Sequence, residues 1–308
     1  MLKVLAKYIK EYKLASLLTV VFIIGEVVFE LLIPYMMTFI IDKGVAINDF
    51  NAVIKYGSIM IVLAVLGLIC GIAAGIYGAN ASAGFAKNLR EGMFRNIQNF
   101  SFSNIDKFSS ASLVTRLTTD ITNVQNSYQM ILRMLMRAPA TLIFALIMTV
   151  SISKDMSVIF FVAIFFLATA LALIIAVAFK LFNQVFEKYD ELNANVQENI
   201  SGIRVVKSYV QKNKEISKFD RAITNLYTLF VKAESLVVLN NPLMMLTVYA
   251  CIIALSWFGA KRIVAGALTT GELTSLFSYI MSILISLMML PSFTSLHAFS
   301  FDLISLSS

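Results

Sequence analysis

Glu26 and Glu30 fall inside the apolar stretch 14–41, where ionised groups are costly. Four residues apart, they share one face of a helix, and carboxylates in a membrane-length segment face a cavity or a partner. Such a pair suits a site for a cationic amphiphile or a proton-sensitive gate. It equally suits capping, or pairing with asparagines or basic groups of neighbouring helices. Asn240, Asn241 and Pro242 stand near the start of another apolar stretch. A kink there would free carbonyls to meet a ligand or simply adjust packing. Glu26, Glu30, Asn240 and Asn241 are therefore the candidate substrate-cavity residues. No catalytic set accompanies them: the single histidine, His297, forms no catalytic pattern with its sequence neighbours, and most lone histidines are structural. Cys70 and Cys251 sit alone in apolar runs, which points to neither a disulfide framework nor a metal cluster. A phosphate-cradling loop needs Gly-Lys followed by Ser or Thr, and none of the 13 glycines precedes a lysine. Catalytic, cofactor-binding and metal-binding residues are thus expected to be absent from this chain.

The elements that must carry these residues are membrane spans. Of 308 residues, 59% are hydrophobic and 14% charged, against about a quarter charged in soluble domains. Crossing a bilayer takes about 20 apolar residues. Hydropathy gives six spans, near 14–41, 53–79, 138–151, 156–179, 236–260 and 273–290, the third preceded by 130–136, where two arginines interrupt the apolar pattern. The fold class is therefore an all-α membrane protein. Connections after spans one, three and five are short, whereas those after spans two and four are long. Glycine and proline are nearly missing from 85–137 and 180–233, and apolar residues there recur at three- and four-residue spacing. Both stretches read as helical extensions of the spans, with a break at each tip, near 101–112 and 201–202. Gly67, Gly71 and Gly75 put small residues on one face of span two for close packing.

Charge orients these elements. All but five of the 25 basic residues lie in the N-terminal arm and the two long connections, the exceptions being Lys43, Lys55, Lys154, Lys261 and Arg262. The positive-inside rule then places the N-terminus and both long connections in the cytoplasm. The +7 charge is a topology signal and not a nucleic-acid footprint, which would need aromatics interleaved with the basic residues. The N-terminal arm, with Leu2, Leu5 and Ile9 opposite Lys3, Lys7 and Lys10, reads as an amphipathic helix on the inner leaflet. Trp257 beside Lys261 and Arg262 reads as an interfacial anchor.

Specific motifs appear at the tips. The stretch 105–120, IDKFSSASLVTRLTTD, and the stretch 196–209, VQENISGIRVVKSY, resemble the two intracellular segments of ABC exporters, although Ala111 stands where the family usually has glycine. Six spans, short outer loops and two long inner excursions complete the resemblance to an exporter-type transmembrane domain over residues 1–290. The resemblance implies a short coupling helix at each tip, docked on a nucleotide-binding domain. It assigns that coupling role to Ile105, Phe108, Ser110, Glu198, Gly202, Ile203, Val206 and Tyr209. It further implies two such halves, identical or not, and ATP and Mg²⁺ held by the nucleotide-binding domain. That domain would be a separate chain or one lost by truncation. The substrate would be a drug, lipid or peptide of amphiphilic character. The other partner is the lipid bilayer, and no nucleic acid is implied.

Past span six, Pro291 is followed by a stretch with six serines and no lysine or arginine, whereas the family continues into a basic linker. Residues 291–308 therefore read as an atypical tail, of a stand-alone permease or of a truncated or frame-shifted half-transporter; we expect the second. The competing functions are a non-transporting remnant and an ion-coupled secondary transporter, which would need charges in several spans where only span one carries any.

Overall fold

The computed structural model describes residues 7–100 and 110–305, with side chains described for 7–100 and 113–287. Among the described residues there is no strand, and six helical segments are long and apolar enough to cross a membrane. Helix α1 is Lys13–Phe39, continued by a π-helical turn at Ile40–Val45; α2 is Phe50–Gln98. The third segment runs through α3 (Ser110–Thr115), a π-turn at Arg116–Asp120, α4 (Ile121–Met130), a second π-turn at Ile131–Leu135 and α5 (Met136–Ile152). Then follow α6 (Lys154–Ser201), the short α7 (Ile203–Ser208), α8 (Lys212–Val238), α9 (Asn240–Val264) and α10 (Thr270–Ser305), which passes Pro291 without ending.

Two helical segments run well past their apolar runs. The third segment is helical from Leu113 to Ile152, so the extension expected in 85–137 runs into the span near 138–151, and it carries Arg133 and Arg137 within it. The 49 residues of α2 extend about 74 Å at 1.5 Å per residue. That is far more than the ~30 Å of a hydrocarbon core, as the helical extensions required.

The chain divides into two compact units, residues 1–162 with 250–308, and residues 163–249. In the first, α1 packs most extensively against α2, and α10 against α5 and α1. Ile23, Val27 and Leu31, buried at four-residue spacing on α1, and Leu276, Tyr279, Ile280 and Ile283 on α10 are among its buried residues. Pro34 removes one intrahelical N–H from α1. Carbonyls on either side of this gap accept from α10: Tyr279 Oη donates to Leu31 O at 2.9 Å and Ser275 Oγ to Pro34 O at 2.5 Å, as side chains of neighbouring helices do around prolines in membrane helices. Gly271 makes this seam possible, since a Cβ there would sit 2.5 Å from Thr38 O. Its own N–H donates to Asp42 Oδ1 at 3.0 Å.

Local signals start the helices. Asp49 caps α2 by accepting from Asn51 N and Ala52 N. Thr269 and Glu272 form a reciprocal capping box at α10, at 3.1 and 2.9 Å. Isoleucines, valines and leucines of α2, such as Ile61, Val62, Leu68 and Ile76, are exposed, an apolar surface of the extent that lipid covers. Trp257 stacks under Lys261 Nζ at 5.0 Å from the ring centroid, and Arg262 pairs with Asp155 at 2.7 Å.

The described part of the N-terminal arm packs on protein. Ile9 and Tyr8 pack on a small core of Phe85, Ala86, Leu89 and Ile121, to which α2 and α4 contribute. Tyr12 and Tyr8 lie over Gly84 and Gly92, where a Cβ would come within 2.3 and 2.4 Å of the rings. Asn88 Nδ2 donates to Tyr8 O at 3.0 Å. Leu2, Lys3 and Leu5 lie outside the described residues.

Candidate functional site: an ion-paired cavity and a turn between helices

Glu26 and Glu30 point at one guanidinium. Arg137 Nη1 donates to Glu26 Oε1 at 2.7 Å and Nη2 to Glu30 Oε2 at 2.5 Å. Helix periodicity explains the match. The two carboxylates stand one turn apart on α1, and a guanidinium presents its N–H groups as a fork that can satisfy two oxygens. Gly71 of α2 leaves the room, since a Cβ there would be 3.3 Å from the Glu26 carboxyl carbon. Of the other two glycines on that face, Gly67 lies 3.7 Å by the same measure from Phe29, while Gly75 has nothing within 4 Å. The packing stripe is therefore partly a berth for a carboxylate.

A cavity of about 530 Å³ adjoins this cluster, lined by residues of α1, of the third segment and of α10. A neighbouring hollow of about 520 Å³ reaches α2. Arg133 and Arg137 line both. The expectation that only span one carries charge is thus corrected: the third segment answers it with two arginines. A signal for this was present in the sequence, because Arg133 and Arg137 repeat the four-residue spacing of Glu26 and Glu30 while interrupting an apolar pattern. The π-turn that holds Arg133, Ile131–Leu135, is of a kind that recurs at functional sites.

Asn240 and Asn241 are found at the start of α9, just after the turn at Leu239 that separates it from α8, so the break falls three residues before Pro242, which lies in the first turn of α9. Asn240 Oδ1 is buried without a hydrogen-bond partner among the described residues. Both asparagines belong to the second unit, and both glutamates to the first.

The second tip lies wholly within the second unit. Gly202 ends α6, α7 follows, and Tyr209–Gln211 lead into α8. Gln211 N closes this turn onto Val206 O at 3.0 Å. Val210 takes a left-handed φ of +54°, strained for a β-branched residue. Asn199 donates to Glu215 at 2.7 Å and Lys218 to Glu198 at 3.5 Å, bracing α6 against α8. Ile203 and Tyr209 are exposed, as an apolar docking knob requires, but Val206 is half-buried. Ile200, Val205 and Val210, the last 85% exposed, complete the apolar set. Sequence spacing misses these three because exposure on a one-turn helix depends on how its ends are closed. At the first tip Ile105 and Phe108 lie outside the described residues, and Ser110 is the first residue of α3.

Residues 16–288 match the family described as the ABC transporter transmembrane region. The chain belongs to that family. Its fold is the all-α transmembrane domain, and it is a multi-pass integral membrane protein. Over 284 residues it is 32% identical to a Bacillus subtilis protein named uncharacterized ABC transporter ATP-binding protein YfiB, a match to 92% of this chain and 50% of that one. An uncharacterized ABC transporter ATP-binding protein of Mycobacterium tuberculosis is 29% identical over 289 residues, 94% of this chain and 50% of that protein. A Desulfotalea psychrophila protein named ATP-dependent lipid A-core flippase is 24% identical over 162 residues, 53% of this chain and 28% of the relative. The chain spans about half the length of the first two relatives, and the family match is to the transmembrane region.

Proposed function

We propose that this chain is the membrane-spanning half of an ATP-driven exporter of amphiphilic molecules. Two such halves form the pathway, and the cytoplasmic ends of the long helices engage nucleotide-binding domains that hold ATP and Mg²⁺. The observation that carries the reading is the second tip, a one-turn helix with Ile203, Val205, Tyr209 and Val210 exposed together. Exposed apolar groups grouped this way favour a protein partner. The bracing of Asn199 and Glu198 to α8 lets a push on the tip move both long helices together. The positive-inside bias supports the cytoplasmic placement, and it survives the transfer of Arg133 and Arg137 into a span.

Charges on two facing helices would also suit an ion-coupled carrier, but the two carboxylates are already closed on Arg137. The test is purification of the chain from its own membranes. An ABC-type ATPase is expected to accompany it, and the pair Ile203→Asp, Tyr209→Ala is expected to break that association while the helix content stays intact. Substrate movement driven by a proton gradient, with no ATPase present, would overturn the reading.

A further inference from the structure

The cavity described above narrows the chemistry of what it accepts. Its carboxylates are occupied, each receiving an Arg137 N–H. Its second cation is not. Among the described residues the Arg133 guanidinium makes no hydrogen bond and no ion pair, yet Arg133 lines both the 530 Å³ cavity and the 520 Å³ hollow. Its aliphatic stem rests on Gly78 of α2, where an added Cβ would meet Arg133 Cγ at 3.7 Å. One turn earlier Gln129, and beyond it Asn126, also line the cavity, and neither amide has a partner among the described residues. Met130, Met134 and Ile285 supply apolar wall.

A free guanidinium offers N–H groups in a fork that fits the oxygens of a phosphate or carboxylate. A cation entering the same space would meet carboxylates that already share Arg137, whereas an anion would meet a guanidinium that no carboxylate holds. We propose that this cavity takes an amphiphile with an anionic headgroup, and that Arg133 is the residue that binds the head, with Gln129 and Asn126 beside it and the methionines along the chain. This rests on reading the cavity as part of the transport pathway. It assigns Glu26 and Glu30 the work of holding Arg137, and not of receiving substrate.

The test measures binding to the full chain in maltoside detergent with three probes: dodecyl phosphate, dodecyltrimethylammonium and inorganic phosphate. Dodecyl phosphate is expected to bind at least about ten-fold more tightly than the cationic probe, a difference of about 1.4 kcal/mol. Arg133→Gln is expected to remove that preference, and Arg133→Lys to keep part of it. The lysine variant, with gel filtration and a melting curve for each, separates lost binding from lost folding. Inorganic phosphate binding as tightly as dodecyl phosphate would overturn the amphiphile assignment in favour of a free anion. Tighter binding of the cation, a dodecyl phosphate affinity untouched by Arg133→Gln, or no binding of any probe would overturn the anionic site. None of these results bears on whether an ATPase co-purifies, so the two readings fail separately.

Discussion

In the cavity, Arg137 meets two carboxylates at 2.7 and 2.5 Å, and its side chain is 35% exposed against 25% for Glu26 and 55% for Glu30. At the second tip, Glu198 and Lys218 approach only to 3.5 Å with at least half of each side chain exposed. An apolar span gives a charge no water to fall back on, so Glu26 and Glu30 must find their partner inside the protein. In the extensions solvent does that work, and the ion pair becomes dispensable. What is left unpaired differs accordingly. The spans leave a guanidinium, Arg133, facing a cavity, and the tip leaves a row of apolar side chains facing outward.

The sharpest way to break this contrast is Arg137→Gln, which strands two carboxylates. It is expected to cost about 3 kcal/mol, the lower end for a broken buried pair because the group is partly exposed. The loss would be read as a fall in melting temperature in detergent. The triple variant Glu26→Gln, Glu30→Gln, Arg137→Gln should recover most of it. Full stability of the single variant would refute the pairing. Next, Gly271→Ala drives a methyl to within 2.5 Å of a backbone oxygen and is expected to cost about 2 kcal/mol by overpacking. Gly75→Ala, with nothing within 4 Å, should be neutral or slightly stabilising by the same melting assay. At the tip, Val210→Gly relieves the left-handed strain and should stabilise by about 1 kcal/mol, seen as slower hydrogen exchange of α7. The smallest effect is expected from Lys218→Gln, within about 0.5 kcal/mol of wild type. A larger loss there would mean that the brace matters as much as the cavity pair.

The spans were legible because charge-poor apolar runs of about twenty residues match the thickness of a bilayer and exceed what a soluble core needs. The extensions were legible because glycine and proline are scarce in them. Glu26 and Glu30 announced themselves by charge in an apolar context. Their partner did not, since Arg137 lies at the edge of its apolar run and reads equally well as the end of a basic connection. Only packing of α5 against α1 decides between the two. Likewise the tip motif was legible in residues 196–209, but which valine is exposed depends on the turn from Val206 to Gln211, which a spacing pattern does not encode. The docking of Tyr8 and Tyr12 over Gly92 and Gly84 was invisible for a related reason: glycines so far along the chain from a tyrosine carry no local sign of it.

Trp257, stacked under Lys261, is the chain's single tryptophan, and the residue is 62% exposed. Indole emission from the purified protein therefore arises at one address, near the end of α9. Lipids brominated at successive depths along the acyl chain would quench it according to where that helix end sits. The wild-type protein thus carries its own depth gauge for the bilayer, with no label to attach and no residue to change.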